Sequence, residues 1–139
     1  MSFQPYLSFP GTCAEAMTFY AALFGGDLTL RRFAERPGAS AEDLRRADSI
    51  WHAVLVLGGA VLMASDRPLD HPAAAQSGVM INHDAANAAE AARIFAALAK
   101  GGTILQPLAA NYWSPAFGAV TDRFGTAWMI NTPPPVEGP

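Results

Sequence analysis

Residues 14–23 read AEAMTFYAAL and residues 89–98 read AEAARIFAAL, so one helix-like decamer recurs 75 positions later with six of ten residues identical. Each copy is followed by a glycine pair, Gly25-Gly26 and Gly101-Gly102, the expected stop for a helix because glycine tolerates the left-handed backbone just past a helix end. Each copy is also preceded by a start signal. Thr12 stands three residues before Glu15, and Asn87 three before Glu90. Both read as capping boxes, in which a side-chain oxygen accepts an orphan amide of the first turn and the carboxylate reaches back. A chain that repeats a helix with its start and stop is built from two copies of one unit.

Short apolar runs bounded by turn residues give the rest of the unit. Phe3 to Phe9 precedes the first helix. Leu28 to Phe33, Trp51 to Leu57 and Val61 to Ser65 follow it, the last two joined by a tight turn at Gly58-Gly59. Gly78 to His83 precedes the second helix, and Thr103 to Leu108, Phe117 to Thr121 and Ala127 to Asn131 follow, with a turn at Asp122 to Gly125. Each half is β-α-β-β-β, which makes the chain α+β. We expect a single domain over 1–139: module one at about 1–66, a linker at about 67–76, module two at about 77–132, and a frayed proline-rich tail at 133–139. Residues 36–49 are a polar insertion with a short helix after Ser40, and Glu42-Asp43 with Arg45-Arg46 reads as its solvated face.

Composition narrows the function. Half of the 139 residues (51%) are hydrophobic, enough for a core without staples. The net charge is −3 and no basic run exists, which argues against nucleic acid as a partner. No apolar run approaches the ~20 residues of a membrane span, and no secretory leader is visible. With a single cysteine, Cys13, no internal disulfide can form, and a cytoplasmic protein is expected. Only 15% of residues are charged, against a typical quarter, so a partner subunit is expected to cover some apolar surface.

The repeated units, Phe19-Tyr20 on the first helix and TDRFG at Thr121 to Gly125 resemble the vicinal-oxygen-chelate superfamily of glyoxalases, bleomycin-resistance proteins and extradiol dioxygenases. PYLSFPG at Pro5 to Gly11, FGG at Phe24 to Gly26, HAVLVLGGAVLMASD at His52 to Asp66, and Trp113 with Gly118 and Thr121-Asp122 are similar to its PhnB-like (demethylubiquinone methyltransferase-like) branch. The resemblance spans nearly the whole chain. It implies that the two modules form a U-shaped, cupped mixed sheet around a divalent metal, held by His, Glu or Gln on the first and last strands of each module. Aligned by the helices and hairpin glycines, those positions fall on Pro5, Met63, Gly78 and Met129, and a two-residue slip would substitute Phe3 or Leu7. None is a ligand for a hard ion. The chain departs from the family pattern at every ligand position, so we expect no metal and no cofactor. The methyltransferase label finds no nucleotide-type glycine loop to support it.

Candidate residues follow from the same frame. His52 alternates with Val54 and Val56 and is the candidate catalytic base or orienting donor; its structural reading is a hydrogen-bonded strand histidine. His71 in the linker, near Asp66 and Asp70, reads as a solvated loop residue or a surface metal ligand, and His83 beside Asp84 as a turn residue. Cys13, in the first turn of a helix, is either a thiol activated by the helix dipole or small-residue packing. Asn111, Tyr112 and Trp113 form a polar aromatic cluster suited to a pocket rim, a core aromatic position or a dimer contact. Met63 and Met129, each four residues past a hairpin glycine, should point into the same cup and favour neutral apolar or aromatic ligands.

The expected function is therefore a metal-free binding domain for a small, largely apolar or aromatic molecule, paired as a homodimer. Its ligand-binding residues are Leu7, His52, Met63, Tyr112, Trp113 and Met129. The alternatives are a glyoxalase-like lyase or isomerase using the same cup, and an interaction protein whose cup is filled by its own side chains.

Overall fold

The computed structural model describes residues 1–68 and 75–134. His71, Asp70 and the end of the tail lie outside these described residues. The chain divides into two compact units, Met1–Ala74 and Ala75–Pro139.

The first unit runs β1 (Tyr6–Phe9), α1 (Cys13–Phe24), β2 (Asp27–Arg32), a 3-10 turn at Phe33–Glu35, α2 (Ala41–Arg45), β3 (Ile50–Leu57) and β4 (Ala60–Asp66). The second runs β5 (Ile81–Asp84), α3 (Ala88–Ala99), β6 (Thr103–Ala109), β7 (Phe117–Thr121) and β8 (Ala127–Asn131). Both are β-α-β-β-β, and α1 and α3 are displaced by the expected 75 residues. Each forms a four-stranded mixed sheet of the same order, β1-β4-β3-β2 and β5-β8-β7-β6. The first strand pairs parallel to the last in each; the other ladders are antiparallel.

One face of each sheet is covered by its helix. Cys13, Ala16, Met17, Tyr20 and Leu23 recur at the helical period and bury the underside of α1. Leu7, Phe9, Ile50, Ala53, Leu55, Leu62 and Ala64 of the strands are buried with them. Ala91, Ile94, Phe95 and Leu98 of α3 do the same beside Val120, Trp128 and Ile130. Strand side chains alternate, so the residues between these point to the opposite, open face.

The helix ends differ from the sequence expectation. Asn87 caps α3, its Oδ1 accepting from Glu90 N at 2.9 Å, but the Glu90 carboxylate turns to Arg93 at 2.8 Å instead of reaching back. Thr12 makes no side-chain cap at α1. Asp66, buried at the end of β4, replaces it: Oδ1 accepts from Cys13 N and Oδ2 from Ile50 N, both at 2.9 Å. A carboxylate from a distant strand satisfies an orphan amide more strongly than a local hydroxyl would.

Two glycines set how closely each helix end approaches its sheet. A Cβ on Gly26, where φ is +99°, would run into the Val56 carbonyl oxygen; one on Gly102 would run into that of Thr121. In the TDRFG turn, Asp122 is the organiser. Its Oδ1 accepts from the amides of Phe124 and Thr126, and its Oδ2 from Trp128 Nε1 at 2.9 Å.

In the insertion, Ser40 caps α2 as expected and Asp43 completes the box. Arg46 is not on a solvated face. Its guanidinium lies 3.9 Å over the Phe33 ring and donates to the carbonyls of Asp66 and Arg67 at 3.0 and 3.1 Å, tying the insertion to the end of β4. Among the described residues no helix is long and apolar enough to cross a membrane.

Candidate functional site

The ladders assign each candidate to a face. In the first unit Met63 pairs with Tyr6 on one side and Val54 on the other, and His52 pairs with Arg31. Met63 falls between buried Leu62 and Ala64, so Met63, Tyr6, Val54 and His52 belong to the open face. The Tyr6 hydroxyl and His52 Nδ1 stand 3.2 Å apart, and the two rings stack with centroids 5.9 Å apart. The Trp51 ring lies tilted to His52 at a centroid distance of 5.9 Å, its indole N–H buried without a partner. Leu7 is on the other face: it pairs with Ala64 and is buried on the helix side.

In the second unit Met129 pairs with Asn82 and Ala119. Gly118, one residue from Ala119, is pressed against the Phe95 ring of α3, so Met129 and its partners are on the open face. Asn131 follows on that face, between Asp84 and Phe117. Asp84 Oδ1 accepts from the amides of Asn82 and Asn131, each at 3.0 Å, and these two bonds, Asn131 first, hold its carboxyl below the usual carboxylate range.

Tyr112 and Trp113 stand on the loop from β6 to β7. Asn111 Oδ1 accepts from the amides of Trp113 and Ser114 at 3.1 and 2.8 Å, which fixes the turn. Ser114 anchors it from below: its buried Oγ is 2.7 Å from the carbonyls of Ala116 and Thr132, and one O–H serves one of them at a time. Trp113 packs edge-on to Phe117 at 5.5 Å, and Tyr112 edge-on to Trp113 at 4.6 Å; Tyr112 is 95% exposed. The cluster thus joins the open face of the second unit through Phe117.

Two sequence expectations change. Pro5 and Gly78 are not the side-chain neighbours of the methionines; Tyr6 and Asn82 are. Strands β1 and β5 begin later than the apolar runs do, and the register of a parallel pair is set by tertiary pairing that a local pattern does not carry. The activated-thiol reading of Cys13 also fails. Burial, and then the Asp66 carboxylate, push this thiol up from 9.0 to about 12, so it is protonated and inert near neutrality. The sign of the linkage is set by the unfolded chain, which loses its thiol proton from about pH 9 while the fold keeps it to about 12. Cys13 therefore leaves stability unaffected below pH 9 and removes up to ~1.4 kcal/mol per pH unit above it. Urea melts between pH 8 and 11 should fall more steeply for the wild type than for Cys13→Ala; parallel curves would refute this. His83 is half-buried, and burial pulls its pKa down against the opposing pull of Asp84.

The residues do not fit a divalent metal. In each unit a thioether stands where a hard ion needs oxygen or imidazole, and no group of three or more His, Cys, Asp or Glu able to hold a metal occurs among the described residues.

The family model of the Glyoxalase/Bleomycin resistance protein/Dioxygenase superfamily matches residues 3–130. The chain belongs to this superfamily. Protein YjdN of Escherichia coli is 33% identical over 140 residues, covering 94% of this chain and 95% of its own. The crystal structure of PA1353 from Pseudomonas aeruginosa matches with a TM-score of 0.86 and 40% identity, covering 96% of this chain and 98% of that one. The PhnB protein from Bacillus cereus matches with a TM-score of 0.77 and 25% identity, over 95% and 99%. Within the superfamily the chain is a PhnB-like member.

Proposed function

We propose that this PhnB-like domain binds a small, largely apolar or aromatic molecule without a metal, using the open faces of its sheets. The observation that carries the reading is the pair Met63 and Met129. They occupy matching ladder positions, turned away from the helices and half-exposed. Thioethers are polarizable and adaptable, and they favour aromatic rings over hard ions or chelating anions. Tyr6, His52 and Val54 extend the floor in one unit; Phe117, Trp113 and Tyr112 extend it in the other. A homodimer in the cytoplasm goes with this reading. The low charged fraction and exposed Ile104 and Leu105 support a partner copy, and the single cysteine, free and buried, suits a reducing compartment.

Titration with the neutral fluorophore N-phenyl-1-naphthylamine tests this, with light scattering on the same samples. Saturable enhancement is expected, weakened several-fold by Met63→Ala or Met129→Ala without loss of the cooperative melt, at twice the mass of one chain. Linear, non-saturating enhancement would sink the binding reading, and a monomer mass the dimer.

The Tyr6–His52 contact favours a second reading, a proton-transferring lyase or isomerase. The imidazole would serve as base, the phenol would orient it, and the exposed Arg31 across from His52 would stabilise developing negative charge. Turnover of a carbonyl substrate that vanishes in both His52→Gln and Tyr6→Phe would decide for it.

A further inference from the structure

The open face of the second unit carries one charge and no counter-charge. Asp84 is exposed, forms no ion pair among the described residues, and every other open-face residue of this sheet is neutral. Asn82 and Asn131 turn their amide nitrogens toward it. That orientation sends the Asn131 carbonyl oxygen the other way, where it is buried without a donor. The ladder then runs from Asp84 through Asn131 to Phe117, two strand spacings or roughly 10 Å. At the Phe117 end stands the Trp113 ring. The face thus has a carboxylate at one end, an acceptor without a donor in the middle, and aromatic rings at the other end.

We propose that this face recognises an arylalkyl ammonium: a flat aromatic group against Phe117 and Trp113, joined by a two- or three-carbon arm to a cationic nitrogen beside Asp84. The nitrogen brings what the face lacks, a positive charge for the carboxylate. The Phe117 and Trp113 rings add apolar and stacking contact for the aromatic group. The proposal deepens the binding reading above and rests on it.

Calorimetric titration with 2-(1-naphthyl)ethylamine, an ammonium at pH 7, against 2-(1-naphthyl)ethanol separates the two claims, since the compounds share ring and arm. The amine should bind at least about tenfold tighter at low salt, and the gap should narrow at high salt. Asp84→Asn should bring the amine to the level of the alcohol and leave the alcohol unchanged, while Phe117→Leu should weaken both alike. Equal affinity of the wild type for the two compounds would overturn the ammonium proposal and leave the apolar reading standing. Failure of both to bind would overturn the two together. A tenfold preference that persists in Asp84→Asn would overturn the role of this carboxylate.

Discussion

Alanine at Gly26 is expected to be the most damaging single methyl in the first unit. The position combines a left-handed φ of +99° with direct approach to the Val56 carbonyl. A backbone oxygen in a central ladder cannot swing aside as a flexible side chain can, so we expect a loss of about 4 kcal/mol or more. For a domain of this size that is a drop of about 12 °C or more in melting temperature. Two neighbouring substitutions divide the effect. Gly25 has positive φ, +83°, with open space around its missing Cβ, so Gly25→Ala should cost only the backbone term, about 1–3 kcal/mol. Gly102 has the collision, with the Thr121 carbonyl, but no positive φ, and Gly102→Ala should register the collision alone. Thermal melts of the three variants check the ordering; Gly26→Ala no worse than Gly25→Ala would show that helix and sheet are free to separate.

The second large effect is expected at Asp66. Asp66→Ala strips the acceptor from two buried amides, Cys13 N and Ile50 N, in one step. Each orphaned donor costs about 1–3 kcal/mol, giving a loss of about 4 kcal/mol. Asp66→Asn retains one acceptor oxygen and should recover roughly half of that loss. Chemical denaturation of the two variants against wild type is the measurement. Equal losses in both would mean that charge, not the number of acceptors, matters at this position.

In the sequence Asp66 is only the last residue of module one, and nothing local marks it as a helix cap. The helix repeat, the glycine stops and the hairpin turns are local signals, and they returned α1, α3, β7 and β8 within a residue or two. Asp66 acts on Cys13, 53 positions earlier in the chain, and on Ile50, 16 earlier, and nothing about its neighbourhood announces that. Arg46 is a similar case: its place in a charge run pointed to solvent, while its partners are backbone carbonyls at the end of another strand. At the candidate site, the open-face positions of Met63, Met129 and His52 follow from alternation alone. The same alternation, with buried Leu7 and Phe9 framing Tyr6 and Ser8, already held the clue that Tyr6 and not Leu7 is the open-face residue. The alignment to the expected metal positions obscured it. Asn82, Asp84 and Asn131 escape a local reading because polar strand residues ordinarily read as solvent-facing, and Phe117 because an apolar strand residue ordinarily reads as core. Only the pairing of β5, β8 and β7 brings them into one row.

The parallel pairing of first strand to last has a consequence for how such a face comes into being. Tyr6 and Met63 are 57 residues apart, and Asn82 and Met129 are 47 apart, so each pair closes one of the longest loops in its unit. Hairpins and helices reward the chain early, whereas these contacts repay their closure entropy only once everything between is in place. This first-to-last pairing is therefore the keystone of each unit, absent from any fragment that lacks either end.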